Sequence, residues 1–406
     1  MKFDYTKVAS VFSENNDVIE NTVAAYEKKL QVIGGIAAAE TGIKTTGPLV
    51  VFVATGGTEN QVLSLFEQKK KSGEELPVFL IAYPMNNSLP ACLEALARLQ
   101  QDGANGQIFY LKSAEDETGL LKIRQALAGG NDEKALENSR IGLLGEPSDW
   151  LVASMPKPET VKEQWGADVI EISINELKAE IEKITDAEAF DKYTALHKNA
   201  VKTKEPVDAE IKDAVKMYLA LKKLAEKYQL SALTIKCFDL ILDLKVAGCF
   251  ALSQLSDDGI ISGCEGDLVS TVGMLWAYKV TGKISWMANP SVINEEENRL
   301  TIAHCTVPRN IVGNYDLRSH FESGMSVAIQ GIFPEGAVTL FRIGGKNMDK
   351  LWITEGELLR NTTSENLCRT QVEIQLKSGG QVSDLLHEPL GNHLVMVQGY
   401  WMDVLK

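Results

Sequence analysis

The sequence predicts an α/β protein with a β-rich C-terminal part, and three observations carry that expectation. From residue 49, short apolar runs, glycine turns and helical periodicities alternate, the signature of βα units built around a parallel sheet. A second series of the same kind starts at Arg140. After about residue 284 the texture changes to short β-branched or aromatic runs between turns, as in a barrel or a sandwich. With 406 residues the chain exceeds one ordinary core, so two or three domains are expected. The composition shifts place them at 1–138, 139–284 and 285–406.

Residues 18–40 carry helical periodicity and lead through Thr45-Thr-Gly-Pro48 into the run Leu49-Val-Val-Phe-Val-Ala54, continuous enough for a buried parallel strand. The turn Thr55-Gly-Gly-Thr58 follows, and a helical pattern resumes at Val62. Pro77–Tyr83 is the next expected strand, Asn86-Asn-Ser88 caps a helix over Leu89–Gln100, and Gln107–Leu111 is a third strand. The polar stretch Gly129–Lys134 loosens the chain before the strand Arg140–Gly145 and the turn Glu146-Pro-Ser-Asp-Trp150. Ala167–Ser173 and Ala232–Cys237 extend the second sheet. Between them a long amphipathic helix starts at Pro206, with Ile211, Val215, Met217, Leu219, Leu221 and Leu224 on its apolar face. Asp267 caps a helix over Leu268–Val280, closed by Gly282. The C-terminal strands are expected at Arg299–His304, Ser326–Gly331, Ala337–Ile343, Lys350–Thr354, Gln371–Leu376 and His393–Gly399.

A net charge of −14 argues against a nucleic-acid partner, whose phosphates call for a basic surface. No apolar stretch suits a signal peptide or a membrane span, so a cytoplasmic protein without a membrane partner is expected. The six cysteines (92, 237, 249, 264, 305, 368) contain no Cys-x-x-Cys pair. That spacing fits reduced, buried thiols better than a disulfide framework or a structural zinc site. Cys264 and Cys305 adjoin candidate site residues but are read as packing residues.

Only five histidines occur. His304 ends a strand-like run and His393 opens another. Glu265 sits in the acidic turn Gly263-Cys-Glu-Gly-Asp267, beyond the apolar run Gly259–Cys264. Open α/β sheets bind ligands beyond such carboxyl ends. Carboxylate and imidazole at loop–strand junctions suit a divalent ion such as Mn²⁺ or Mg²⁺. Each residue also has a plainer reading: Glu265 as a surface charge, Asp267 as a helix cap, His304 and His393 as hydrogen-bonded core histidines. Thr55–Thr58 serves either as a tight turn or as a contact for a substrate hydroxyl or anion. His320 is a further candidate to serve a substrate, whereas His197 and His387 read as surface residues.

The order Gly263-Cys-Glu265-Gly-Asp267, Asn289, Glu295-Glu-Glu-Asn298 through His304-Cys305, then Leu390-Gly-Asn-His393 through Gly399 resembles the metal-binding core of the L-fucose/L-arabinose isomerase superfamily. The turns at Thr55–Thr58, Asn87–Pro90 and Pro147–Trp150 resemble those of its shorter L-fucose isomerase-related members. The resemblance implies two Rossmann-like, doubly wound parallel-sheet domains followed by a β-rich, barrel-like C-terminal domain. It also implies Mn²⁺ (or another divalent cation), a small-molecule sugar substrate isomerised between aldose and ketose, and a homo-oligomer, trimer or hexamer. Carried onto this chain, Glu265 matches the first carboxylate ligand, and His304 and His393 match the histidines. The second carboxylate aligns with Asn289, a possible weak fourth ligand. An amide cannot accept a proton at ordinary pH, so the enediol proton falls to Glu265 or Asp267, or the protein is a non-catalytic sugar-binding or regulatory relative.

Overall fold

The computed structural model describes residues 2–10, 16–38, 47–70, 77–127 and 134–405. Expectations at Thr45-Thr46 and at residues 129–133 fall outside them. The chain divides into two compact units, Met1–Asp132 and Glu133–Lys406.

The first unit holds a five-stranded parallel sheet of β1 (Phe3–Val8), β2 (Gly35–Ala38), β3 (Leu49–Val53), β4 (Val78–Ala82) and β5 (Gly106–Tyr110), in the order β2-β1-β3-β4-β5. Every residue of β3 and β4 is buried. Side chains alternate between faces along a strand. Val50, Phe52, Phe79 and Ile81 therefore join one apolar cluster, while Val51, Val53, Leu80 and Ala82 join another on the opposite face. Helices cover both faces, which is why these strands read as unbroken apolar runs.

β1 and β2 were not anticipated. The helix expected from residue 18 ends at Val32, and after Gly34, at φ +102°, the chain re-enters the sheet as an edge strand. β2 spans four residues, of which two are exposed, too little apolar alternation to mark a strand.

The second unit contains a parallel sheet and a closed antiparallel barrel. Its sheet is built from β6 (Arg140–Leu144), β7 (Asp168–Ile172), β8 (Ala232–Ile235) and β9 (Ile261–Gly263), in the order β7-β6-β8-β9. The long helix Asp208–Tyr228 covers it with the expected apolar face, except that Leu219 is only half-buried.

The remaining strands are β10 (Trp286–Asn294), β11 (Arg299–His304), β12 (Asn314–Arg318), β13 (Ala328–Ile332), β14 (Gly336–Gly344), β15 (Lys350–Asn361), β16 (Thr370–Ser378) and β17 (Leu394–Gln398). Six of them close a barrel in the order β10-β11-β16-β15-β14-β17, with β12 and β13 pairing apart. The open choice between barrel and sandwich thus resolves to a barrel, which leaves its strands no free edge.

β10 and β12 escaped the sequence reading. Pro290 interrupts β10 and is accompanied by a register shift before Val292, a position where a sheet tolerates a missing N–H. β15 runs seven residues past its expected end at Thr354, held there by pairing with β14 and β16 where the side-chain pattern Glu355–Asn361 is mixed.

The helix Leu268–Thr281 ties the sheet to the barrel. Asp267 caps it and Gly282, at φ +70°, ends it. Its Trp276 ring meets Phe341 of β14 edge-on at 5.5 Å. The turn that starts this helix is thereby set against the ends of β11 and β17.

Candidate metal centre

Glu265 leaves the carboxyl end of β9 in a tight turn. Its own φ is +63° and that of Gly266 is +72°. At Gly266 a Cβ would stand 2.7 Å from Pro147 Cα, so only glycine lets the turn Cys264–Asp267 close against the Glu146–Trp150 turn. The Ser148 amide donates to the Glu265 carbonyl (2.9 Å), and the Trp150 indole N–H donates to Glu265 Oε2 (2.7 Å). Glu265 Oε1 is left facing two imidazoles.

Those imidazoles belong to His304 and His393. His304 is the last residue of β11 and His393 immediately precedes β17. Their rings stand 5.4 Å apart and nearly edge to face. Glu265 Oε1 lies 3.8 Å from His304 Nε2 and 3.5 Å from His393 Nε2. One donor atom from each of the three residues falls within 4.8 Å of the others, and among the described residues this is the one such group of three or more His, Cys, Asp or Glu side chains.

His393 is fully buried, and its Nε2 has no hydrogen-bond partner. Such an orphan is costly unless it has a ligand. Its Nδ1 is bound to Asp267 Oδ2 at 2.9 Å. This carboxylate–imidazole arrangement fixes the ring and aims the Nε2 lone pair at the centre, as in many metal sites. His304 Nδ1 meets the Thr306 hydroxyl and the Thr306 amide. Nδ1 accepts from that amide, which holds the ring with Nε2 turned toward Glu265. A carboxylate oxygen and two imidazole nitrogens suit a borderline divalent ion.

Asp267 is sealed behind His393. Its carboxylate accepts from the Ser270 amide (2.8 Å) and the Ser270 hydroxyl (2.7 Å), pairs with Arg342 Nη1 (3.2 Å) and holds His393. Burial alone would raise its pKa, but the Arg342 guanidinium and His393 hold it well below the usual carboxylate range. Burial likewise opposes a charge on Glu265, yet the two imidazoles facing it pull it well below its ordinary value. For His393, burial is overcome by its bond to Asp267 and by the negative charge of Glu265 beside it, and its pKa is pushed up to about 9. Gly391, at φ +152°, lets the chain cross Arg342 on its way to His393. A Cβ there would overlap the guanidinium.

Asn289 lies on β10, opposite Ala303. Its amide donates to the carbonyl of Asn392, next to His393 (3.3 Å). The three converging residues and Asn289 belong to one small region, in which Glu265, Asn289 and His304 line a cavity of about 420 Å³ together with Trp150, Phe238 and His320. Asp267 is not among its lining residues. The His320 ring stands edge-on to Phe238 at 5.5 Å, with Nδ1 bound to Ser323. His197 stacks on Tyr193, and His387 is held by the Ser383 carbonyl.

In the first unit, the turns at Thr55–Gly57 and Asn86–Asn87 border a separate cavity of about 650 Å³ beyond the ends of β3 and β4.

Two supporting residues and one cluster were not anticipated from the sequence. Arg342 gave a signal, a single charge in the otherwise apolar run Ala337–Ile343. Thr306 gave none, and neither did the gathering of scattered cysteines on the cavity.

Residues 158–283, which include Glu265 and Asp267, match the family described as the L-arabinose isomerase central domain. The chain is also similar to proteins named sulfoquinovose isomerase. That of Priestia aryabhattai is 23% identical over 275 residues, covering 66% of this chain and 61% of that protein. That of Clostridium sp. (strain MSTE9) is 23% identical over 301 residues, covering 72% and 67%. These likenesses agree with the resemblance of the chain's motif order to the L-fucose/L-arabinose isomerase superfamily. A third such relative, the sulfoquinovose isomerase of Alkalicoccus urumqiensis, is 24% identical over 287 residues, covering 67% of this chain and 62% of that protein. The chain spans about 61% of the length of the first of these relatives. No helix among the described residues is long and apolar enough to cross a membrane.

Proposed function

We propose that this protein is a divalent-metal-dependent sugar isomerase that interconverts an aldose and a ketose through a cis-enediol(ate). The observation that carries the proposal is the buried, unpartnered Nε2 of His393, aimed at Glu265 beside His304. Glu265, His304 and His393 would hold the ion, with Mn²⁺ the first to test and Asn289 a weak fourth donor. When bound, the ion supplies Lewis-acid polarisation of the sugar carbonyl.

The chain's own residues supply the rest. Asp267 is the positioning residue that fixes the His393 ring, and Trp150 fixes Glu265. The amides of Asn289, Asn366 and Asn392 border the cavity and can bind the hydroxyls of an open-chain sugar. Phe238 and Phe321 restrict water. Glu265, kept ionised, is in the form that accepts a proton, and it carries the proton between the adjacent carbons. Of the two carboxylates expected to serve, Asp267 has no face on the cavity and is assigned to positioning. The reading includes a homo-oligomer, trimer or hexamer, and a cytoplasmic setting.

The test uses chelated protein, with and without Mn²⁺, on a panel of aldoses that includes sulfoquinovose. Ketose formation and solvent deuterium exchange are followed together. Mn²⁺-dependent appearance of both is expected. If Glu265→Gln retains exchange, His320 and Glu322, which share the cavity, are the next groups to substitute. One observation favours a second reading, a sugar-binding protein without turnover: the neutral Asn289 is tethered to Asn392 where the superfamily pattern places a carboxylate. Metal uptake with neither ketose nor exchange would select it.

The metal centre also sets an expected pH dependence. His393, raised from 6.5 to about 9, contributes stability to the metal-free protein that is complete below about pH 6.5 and is lost as pH rises through 9. A metal displaces that proton, so its affinity rises over the same interval. Thermal unfolding from pH 6.5 to 9 should show the metal-free protein losing Tm while the Mn²⁺-induced increment grows. An increment that is flat or shrinks would remove His393 from the ligand set.

A further inference from the structure

Five of the six cysteines, Cys237, Cys249, Cys264, Cys305 and Cys368, border the cavity that contains Glu265 and His304. All are free thiols. Cys237 opens the helix Cys237–Leu244 and Cys264 follows β9, and their sulfurs are in contact at 3.4 Å. A disulfide bond is about 2.0 Å long, so the two sulfurs need approach by only about 1.4 Å to bond.

We propose that Cys237 and Cys264 form a hydroperoxide-responsive dithiol, whose closure to a disulfide pulls Glu265 out of the metal centre. This inference rests on the reading of Glu265 as a ligand. One thiol, as its thiolate, attacks a peroxide oxygen. The O–O bond breaks, an alcohol or water leaves, and a sulfenic acid forms. The second thiol attacks the sulfenic sulfur, an S–S bond replaces the S–O bond, and water leaves. The two thiols give up two electrons and two protons, and the peroxide takes both. The oxidant reaches the pair through the cavity that both residues line.

The coupling to the centre is mechanical. Cys264 precedes Glu265 directly. Its amide donates to Met287 Sδ (3.1 Å), and its carbonyl accepts from the Asp267 amide (3.0 Å) and the Thr234 hydroxyl (3.2 Å). The Cys264–Asp267 turn therefore moves as one piece, and Gly266 already leaves it no slack against Pro147. Metal–ligand distances tolerate only about 0.2 Å. Even a third of the required approach, passed to Glu265, exceeds that tolerance. The other three thiols border the same cavity; Cys305 follows the ligand His304, whereas neither Cys249 nor Cys368 is joined in sequence to a ligand.

The experiment treats reduced, chelated full-length protein with hydrogen peroxide, blocks remaining thiols, and maps linkages by mass spectrometry. Digestion with trypsin and with a protease cutting at Asp257 and Asp258 separates Cys249 from Cys264. Mn²⁺ uptake is measured in parallel by electron paramagnetic resonance. The expected result is a Cys237–Cys264 linkage and a fall of at least about tenfold in Mn²⁺ affinity, both reversed by dithiothreitol. Cys237→Ser and Cys264→Ser should each abolish the linkage and leave Mn²⁺ affinity unresponsive to peroxide. Absence of the linkage, or linkages confined to Cys249, Cys305 and Cys368, would overturn the proposal. So would a Cys237–Cys264 linkage that leaves Mn²⁺ affinity unchanged. Failure of the reduced protein to take up Mn²⁺ would sink the metal-centre reading and the coupling with it, while the linkage is still read by mass alone.

Discussion

Replacing Asp267 with alanine is expected to cost about 3–5 kcal/mol of stability, the usual penalty for stripping a buried charge of its partner. Arg342 and Asp267 are both buried, and the carboxylate also caps the helix Leu268–Thr281 and holds His393. The alanine variant strips a buried guanidinium of its counter-charge and leaves two Ser270 donors and an imidazole without their acceptor. Urea unfolding should be followed with amide exchange in that helix, because the two units of the chain need not unfold together. A further change of Arg342→Met in the same background should return part of the loss, since the stranded charge is then gone. A loss under about 1 kcal/mol, or no recovery in the double variant, would show that Asp267 is not the hub of this network.

Glu265→Gln is expected to leave the fold nearly intact and to lower Mn²⁺ affinity by at least about 100-fold. Losing a ligand outweighs the roughly 10–100-fold cost of losing a residue behind one. The amide keeps the shape of the side chain and can still accept from the Trp150 indole. It removes the charge that faces both imidazoles at 3.5 and 3.8 Å. Ketose formation should disappear with it, because the same carboxylate is assigned to proton transfer. Isothermal titration and the aldose assay together decide the matter. Unchanged Mn²⁺ affinity would remove Glu265 from the centre, and turnover that survives with weakened binding would separate ligand from proton carrier.

Much of this centre was legible in the sequence because its donors sit where element boundaries are strongly marked. Asp267 and Gly282 bracket a helix, an apolar run ends at Cys264, and His304 closes a clean strand. What the residues could not disclose was direction. Asp267 has an adequate local reason to exist as a cap, and nothing near it in sequence indicates a bond to His393, 126 residues away. The thiols are the plainer case. Each cysteine reads as an ordinary small buried residue, and only the folded chain brings five of them to one wall.

The strands that escaped follow the same logic. β2 is a short edge strand, half exposed, so pairing with β1 rather than local pattern makes it a strand. β10 carries Pro290, which argues against a strand until a register shift accommodates it. The barrel strands with clear apolar alternation, such as β14 and β16, lay within a residue or two of their expected bounds.

The most direct test of the central claim is an anomalous diffraction map at the manganese edge from crystals soaked with Mn²⁺. The expected result is one strong peak within coordination distance, about 2.0–2.3 Å, of a Glu265 carboxylate oxygen, His304 Nε2 and His393 Nε2. A peak bound elsewhere, or none at a concentration that saturates uptake in solution, would contradict it.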